Sequence, residues 1–310
     1  MNNIICVAGP TASGKTALAV ELAKLLDGEV GSCDSMQIYR RMDIGTAKPT
    51  REEMDGIPHH MIDICDPEED FSVSRYCEMA TPIVDDILAR GKTAIIAGGT
   101  GLYMDSLIRG NDFAPFPATG HRQRLEARLE AEGLEPLMAE LQAIDPESVT
   151  RSQNNPRRII RALEVWLETG ETITAHNLRT QAIPPRYSPL WFGLEDEDRQ
   201  DLYDRIDRRV TLMLEQGLVD EIQNLLANGI PADCTAMQAI GYKEFIDALA
   251  GRCTIEEAAD QVRQSSRRYA KRQLTWFRRN PAVHWLRRKK TDTTAEIICR
   301  ARQILRDSDN

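Results

Sequence analysis

The sequence predicts an α/β fold: a P-loop-type parallel sheet flanked by helices, with an all-helical domain inserted into it. Three observations carry this. A phosphate-binding pattern, Gly9-Pro10-Thr11-Ala12-Ser13-Gly14-Lys15-Thr16, lies between an apolar run and a helical run. Short β-rich runs alternate with helical periods in the first third of the chain. A purely helical stretch then intervenes before an apolar run resumes at Leu190-Trp191-Phe192-Gly193-Leu194.

Taken in order, Ile4–Ala8 reads as a buried parallel strand. Leu18, Leu22, Leu25 and Leu26 fall at helical spacing, so Thr16–Leu26 reads as the helix that follows. The eight residues between them fit G-x-x-x-x-G-K-[ST] in its strand–loop–helix context. Glycines let the backbone wrap a phosphate, and the helix N-terminus adds partial positive charge. Lys15 supplies a full charge and the Thr16 hydroxyl a ligand for Mg²⁺. The loop implies a bound polyphosphate without saying which one or what becomes of it.

Glu29–Cys33 reads as a second strand ending at Asp34-Ser35-Met36-Gln37. Ligands of parallel sheets bind at the carboxyl ends of the strands, which puts Asp34 at the active edge beside the P-loop. Asp34 is there a candidate base, a water-mediated metal ligand, or a turn cap. Asp43–Pro49 is a loop, His60–Ile64 a third strand, and Ser72 or Ser74 a cap for a helix to Ala89. Lys92–Ala97 is a fourth strand. It ends in Gly98-Gly99-Thr100-Gly101, which fits either close approach of a ligand or a tight structural turn.

Phe113-Ala114-Pro115-Phe116-Pro117 marks a boundary. Residues 1–116 and 186–310 therefore form the P-loop core with a basic helical C-terminal part, and residues 117–185 the inserted helical domain. Within it Asn155-Pro156 opens a helix that Gly170 stops, with Arg157, Arg158 and Arg161 on its first turns. Beyond Leu194, helical patterns run over 197–227, 235–250 and 254–279, and Val283–Leu286 reads as a short last strand. Arg205 and Arg209 form an i,i+4 pair, suited to phosphate or to ion pairs with the neighbouring acids.

Apolar content of 42% and charged content of 28% are ordinary for a soluble globular chain of 310 residues. No leader pattern precedes the first strand and no apolar run is long enough to span a bilayer, so a cytoplasmic protein with no membrane contact is expected. Seven scattered cysteines without a C-x-x-C pair read as reduced thiols. The histidines show no zinc-ligand spacing. Net charge is −9, yet Val262–Lys290 holds eleven basic residues and no acid, which leaves −20 on the rest. Tyr269, Trp276, Phe277 and Trp285 interleave with that charge, and nucleic-acid phosphates are its natural partner.

Many ordered stretches resemble the tRNA dimethylallyltransferases, also called tRNA isopentenyltransferases, in their bacterial form. They are Gly9–Thr16, Asp34–Tyr39, Asp43–Pro49, Gly98–Tyr103, Asn155–Arg158 with Arg161–Glu164, Ile240–Lys243 and Tyr269–Phe277. The resemblance implies that the dimethylallyl group of dimethylallyl diphosphate moves to N6 of adenosine 37 in the tRNA anticodon stem-loop, and that pyrophosphate leaves. It implies a diphosphate site on Gly9, Pro10, Thr11, Ala12, Ser13, Gly14, Lys15 and Thr16 with Arg205 and Arg209, and Mg²⁺ on Thr16. Asp34 is implied as the base, with Thr100 and Lys15 completing the catalytic set. Contacts to tRNA are implied at Asp34, Ser35, Met36, Gln37 and Thr100. Further ones are Arg122 and Gln153, Asn154, Asn155, Pro156 and Arg157 in the insertion. Gln238, Ala239, Ile240, Gly241, Tyr242 and Lys243, with Arg268 and Arg272, complete the implied tRNA contacts of a monomeric enzyme.

Two other readings stay open on the residues alone. A small-molecule kinase with a lid would turn over ATP without RNA, and an RNA-binding P-loop switch protein would bind tRNA and leave its mass unchanged. Within the resembled group, a prenyltransferase for free adenine nucleotides is a third, against which the basic segment argues.

Overall fold

The computed structural model describes residues 3–110 and 119–308. The chain divides into two compact units, Met1–Gly110 with Arg186–Asn310, and Asn111–Pro185. The expected boundary at residues 116 and 117 lies outside the described residues.

In the first unit, strand β1 (Ile4–Ala8) leads through the P-loop into helix α1 (Lys15–Leu25). Strand β2 (Gly28–Ser32), the short helix α2 (Arg51–Met54) and strand β3 (His59–His60) follow. Helix α3 (Val73–Ala89) is capped by Ser72, whose hydroxyl accepts from the Arg75 amide. Strand β4 (Thr93–Gly98) runs into helix α4 (Gly101–Arg109). The second unit holds α5 (His121–Glu132), α6 (Glu135–Ile144), α7 (Pro146–Ser152), α8 (Pro156–Thr169) and α9 (Ile173–Ala182). The first unit resumes with β5 (Leu190–Asp196), α10 (Arg199–Glu215) and α11 (Leu218–Ala227). It ends with a 3₁₀ turn at Ala236–Gln238, α12 (Lys243–Leu249), α13 (Ile255–Phe277), β6 (Val283–Arg288) and α14 (Thr294–Ser308).

The six strands form one parallel sheet in the order β3-β2-β4-β1-β5-β6. Helices cover both faces of such a sheet, so the four inner strands β2, β4, β1 and β5 are almost wholly buried, while the edge strands β3 and β6 are partly exposed. All five residues of β1 are buried, and Phe192, Leu194 and Leu286 from β5 and β6 join Leu18 and Leu22 of α1 in one core. A buried Leu or Phe contributes about 1.5–3 kcal/mol, and this apolar slab holds the polar loops at its carboxyl edge. In the second unit Leu125, Leu137, Leu141, Ile159, Ile160 and Leu163 form a separate core. The Asn155 cap there accepts from the amides of Arg157 and Arg158, Pro156 takes the first turn, and Gly170 closes the helix at φ 69°.

Three sequence expectations change. The third strand is His59–His60, not His60–Ile64. Met61 and Asp63 adopt φ of 62° and 56°, and Asp63 and Ile64 give their amides to the carbonyls of Gln37 and Ile38, not to β2. The helical pattern of 197–227 breaks at Gly217, with φ of 95°. That of 235–250 breaks around Gly241, with φ of 97°, leaving a single 3₁₀ turn before α12. Among the described residues no helix is long and apolar enough to cross a membrane.

Candidate active site

Three pieces of the first unit meet at the carboxyl edge of the sheet: the P-loop, the interlocked ends of β2 and β4, and one side of α13. In the P-loop, Ala12 and Gly14 both have left-handed φ, 60° and 88°, on either side of Ser13. Alternation of this kind turns successive N–H groups inward, which makes an anion nest. Gly9 has no room for a side chain: a Cβ there would lie 2.9 Å from Ser13 Oγ and 3.1 Å from Leu194. Ser13 Oγ is buried with no hydrogen-bond partner, an arrangement that costs free energy unless a ligand supplies one.

Lys15 Nζ donates to the Pro10 carbonyl at 2.7 Å. Burial lowers its pKa to about 8, the charge of Asp34 opposes that shift, and Arg209 adds to it. Lys15, Asp34 and Arg209 therefore sit within electrostatic reach of one another. The two arginines of α10 reach the same loop one helical turn apart. Arg205 Nε donates to the Ala12 carbonyl at 3.0 Å, and Arg209 donates to Thr11 Oγ1 at 3.3 Å. Asp196, at the end of β5, pairs with both Arg205 and Arg288 and orients them. Thr16 is half-buried, and its hydroxyl makes no hydrogen bond to the described residues.

At the end of β2, Asp34 Oδ1 accepts from the Met36 amide at 2.9 Å, which leaves the other carboxylate oxygen unengaged among the described residues. Thr100 Oγ1 accepts from the Ser35 amide at 3.0 Å, and the Thr100 amide donates to the Cys33 carbonyl at 3.1 Å. Gly98 makes that interlock possible, because a Cβ there would lie 2.0 Å from the Cys33 oxygen. Gln37 is fixed from both ends: Ser32 Oγ donates to its Oε1 at 3.0 Å, and its Nε2 donates to the Ala47 carbonyl at 3.2 Å. The loop it leans on is held by Glu221 of α11. That carboxylate accepts the amides of Asp43, Ile44 and Gly45 at 2.8, 2.8 and 3.2 Å and the Tyr242 hydroxyl at 2.6 Å.

The third piece lies in the Tyr269–Phe277 stretch noted in the sequence, but its Gln273 was not singled out there. Gln273 of α13 is buried, its Oε1 accepts the Thr11 amide at 2.9 Å, and its Nε2 donates to the Gly99 carbonyl at 3.0 Å. One turn away on the same side, Trp276 Nε1 donates to Asp105 Oδ2 at 2.8 Å and its ring covers Gly101. Tyr269, one turn the other way, has its hydroxyl pushed up to about 12 by burial and by Asp34, against contacts with Thr100, Arg272 and Gln273. A glutamine between two aromatics at helical spacing was the signal available for this face. Nothing local in the sequence flags Glu221 or Asp196.

The other expected tRNA residues fall in two places. Gln238 and Lys243 are exposed, Ile240 is partly so, and Ala239, Gly241 and Tyr242 are buried, with Tyr242 packed on Gly45. In the second unit Gln153, Asn154, Asn155, Pro156 and Arg157 are all exposed, and Arg122 pairs with Glu126 and Glu164. The basic segment is less free than its composition suggests. Arg263, Arg267, Arg278, Arg287, Arg288 and Lys290 are paired with acids, mostly Glu195, Asp196 and Asp207 from β5 and α10. Arg268, Lys271, Arg272, Arg279 and Lys289 are exposed and have no ion pair among the described residues. Arg268, Lys271 and Arg272 share one face of α13 and Arg279 follows just past its end; Arg272 lies over Tyr269 and Arg279 over Trp276.

Residues 37–280 match the IPP transferase family. A tRNA dimethylallyltransferase of Acetivibrio thermocellus is 45% identical over 96% of both chains, and one of Bacillus cytotoxicus is 48% identical over 95% of this chain and 93% of that one. Among solved structures, the full-length tRNA isopentenylpyrophosphate transferase of Bacillus halodurans superposes with a TM-score of 0.74 at 45% identity, over 98% and 96% of the two chains. A eukaryotic dimethylallyltransferase acting on tRNA gives 0.81 at 27% identity, over 99% of this chain and 80% of that one. The chain therefore belongs to the IPP transferase family, that of the tRNA dimethylallyltransferases.

Proposed function

We propose that this protein transfers the dimethylallyl group from dimethylallyl diphosphate to N6 of adenosine 37 in the anticodon stem-loop of tRNA. The observation that carries this is the meeting of a cation-lined anion nest, Lys15 with Arg205 and Arg209, with the Asp34–Thr100 turn at one sheet edge. The C1–O bond to diphosphate breaks, the N6–C1 bond forms, the N6 proton passes to Asp34, and pyrophosphate leaves. The nest and its cations stabilise the charge that develops on the leaving group. N6 is a poor nucleophile because its lone pair is delocalised into the ring, so a positioned base and a hydrogen bond from an N6 hydrogen to Thr100 Oγ1 assist it. The adenine has to leave the anticodon stack to reach this edge.

The residues fit Mg²⁺ bound with the diphosphate. The Thr16 hydroxyl is unengaged, Ser13 Oγ is an unpartnered oxygen in the same loop, and no cluster of three acidic, histidine or cysteine ligands stands there among the described residues to take a more strongly protein-bound ion. When bound, the ion would neutralise charge on the departing oxygens. On tRNA, the exposed cations of α13 and the exposed Gln153–Arg157 corner would hold phosphates and loop shape, and the same reading has the enzyme act as a cytoplasmic monomer.

The test is incubation with dimethylallyl diphosphate and unmodified tRNA, followed by mass measurement of the nucleosides. A prenylated adenosine at position 37 is expected, with release of pyrophosphate in equal amount. Unchanged tRNA alongside turnover of ATP would overturn the reading in favour of a kinase.

A further inference from the structure

Gln273 has no place in the chemistry above: it is buried on α13, and both ends of its amide are used by loops on different strands. The Thr11 amide it accepts belongs to the P-loop after β1, and the Gly99 carbonyl it donates to belongs to the turn carrying Thr100 after β4. Gly99 is tailored to it, since a Cβ there would lie 2.1 Å from Gln273 Nε2. Its amide carries an acceptor and a donor at once, so it can bridge an N–H to a C=O. The two loops follow adjacent strands, β1 and β4, and among the described residues Gln273 is the side chain shown bonded to both.

We propose that Gln273 is a positioning residue that sets the distance between the loop holding the diphosphate and the turn holding the acceptor adenine. This rests on the functional reading of those two loops. Its effect lies in the chemical step rather than in affinity, because each substrate keeps its own contacts when the strut is cut. A misplacement of about 1 Å between reacting groups can lower a rate about a hundredfold.

Two variants test it. Gln273→Met fills the space and cuts both bonds. Its single-turnover rate is expected to fall ~10- to 100-fold while the dissociation constants of pyrophosphate and of tRNA change by less than about threefold. Gln273→Glu keeps the acceptor for the Thr11 amide but sets an ionised oxygen against the Gly99 carbonyl. Protonation of that carboxyl, favoured by its burial, would restore a donor. Its rate relative to the parent enzyme should therefore rise as pH falls from 8 to 5, which a merely space-filling role would not produce. A parent-like rate in Gln273→Met, a rate loss matched by lost substrate affinity, or a pH-independent ratio in Gln273→Glu would each overturn the proposal. Faster hydrogen exchange of the Thr11 amide in Gln273→Met reads the strut without substrate. Lys15→Ala that left donor binding unchanged would instead sink the reading of the loops, whatever Gln273 does.

Discussion

The two rims of the active edge are built on opposite principles. The P-loop rim is dense in positive charge and poor in acids: Lys15, Arg205 and Arg209 converge on it, anchored by the carbonyls of Pro10 and Ala12 and by Asp196. The β2–β4 rim holds one carboxylate, Asp34, among hydroxyls and amides of Ser35, Met36 and Thr100. Charge develops on the leaving group at the first rim, so cations fixed before reaction do the work there. At the second a carboxylate takes a proton from the attacking amine, and a cation paired with that carboxylate would lower its basicity. The separation is therefore between leaving-group stabilisation and proton acceptance, and each substitution below should injure one and spare the other.

The largest effect belongs to the second rim. Asp34→Asn keeps the bond from the Met36 amide but removes the proton acceptor, so the chemical step should drop ~10² to 10⁴-fold with donor and tRNA binding nearly intact. Single-turnover rates against Mg²⁺ concentration check this. Recovery with added Mg²⁺, or loss of donor affinity along with rate, would move Asp34 to the metal side.

At the first rim, Lys15→Ala should weaken donor binding and lower turnover by ~10² to 10³-fold without unfolding the protein, as removal of one oxyanion-stabilising donor does elsewhere. The lowered pKa of Lys15, about 8, adds a sign. Diphosphate needs the charged form, so donor affinity should decline as pH rises through that value and stay level below it. For folding the direction is the reverse. The unfolded chain binds the extra proton between about 8 and the ordinary lysine value, so this group's contribution to stability improves as pH rises through that window. Pyrophosphate titrations from pH 7 to 9.5 on the parent and on Lys15→Arg separate the two. The arginine variant stays charged and should lose the decline.

How much of each rim was legible differs in the same way. The P-loop was readable because its pattern encodes local backbone demands: φ of 88° at Gly14, and no space beside Gly9. The sheet and the Asn155-capped helix were readable from apolar runs and capping chemistry. The rest depends on distant partners. Met61–Ile64 alternates like a strand, but its amides are taken by Gln37 and Ile38. Glu221 gains its role only when Asp43–Gly45 and Tyr242 arrive from far along the chain. Gln273 sits within a stretch that was noticed for its charges, while its partners Thr11 and Gly99 lie more than 170 positions away. Periodicity cannot report such contacts, because each segment's own pattern is satisfied without them.

The smallest expected effect concerns charge outside the two rims. Counted from composition, Val262–Lys290 offers eleven cations to tRNA. Folded, it leaves five without an ion pair among the described residues: Arg268, Lys271, Arg272, Arg279 and Lys289. A cation already held by an acid must break that pair to release a counterion, so it adds little to the salt dependence of binding. At about 0.7 to 0.9 per neutralised phosphate, this segment should contribute a slope of roughly −3.5 to −4.5 in log K against log salt, not the doubled figure its composition suggests. Replacing Arg268 and Arg272 together with Gln should make the measured slope shallower by about 1.4 to 1.8. Arg263→Gln, whose partners are Glu256 and Asp260, should leave it unchanged. Filter-binding of tRNA across a salt series measures all three. A slope that shifts as much for Arg263 as for Arg268 would mean that the ion pairs open on binding, and the division of the basic segment into paired and free cations would fail.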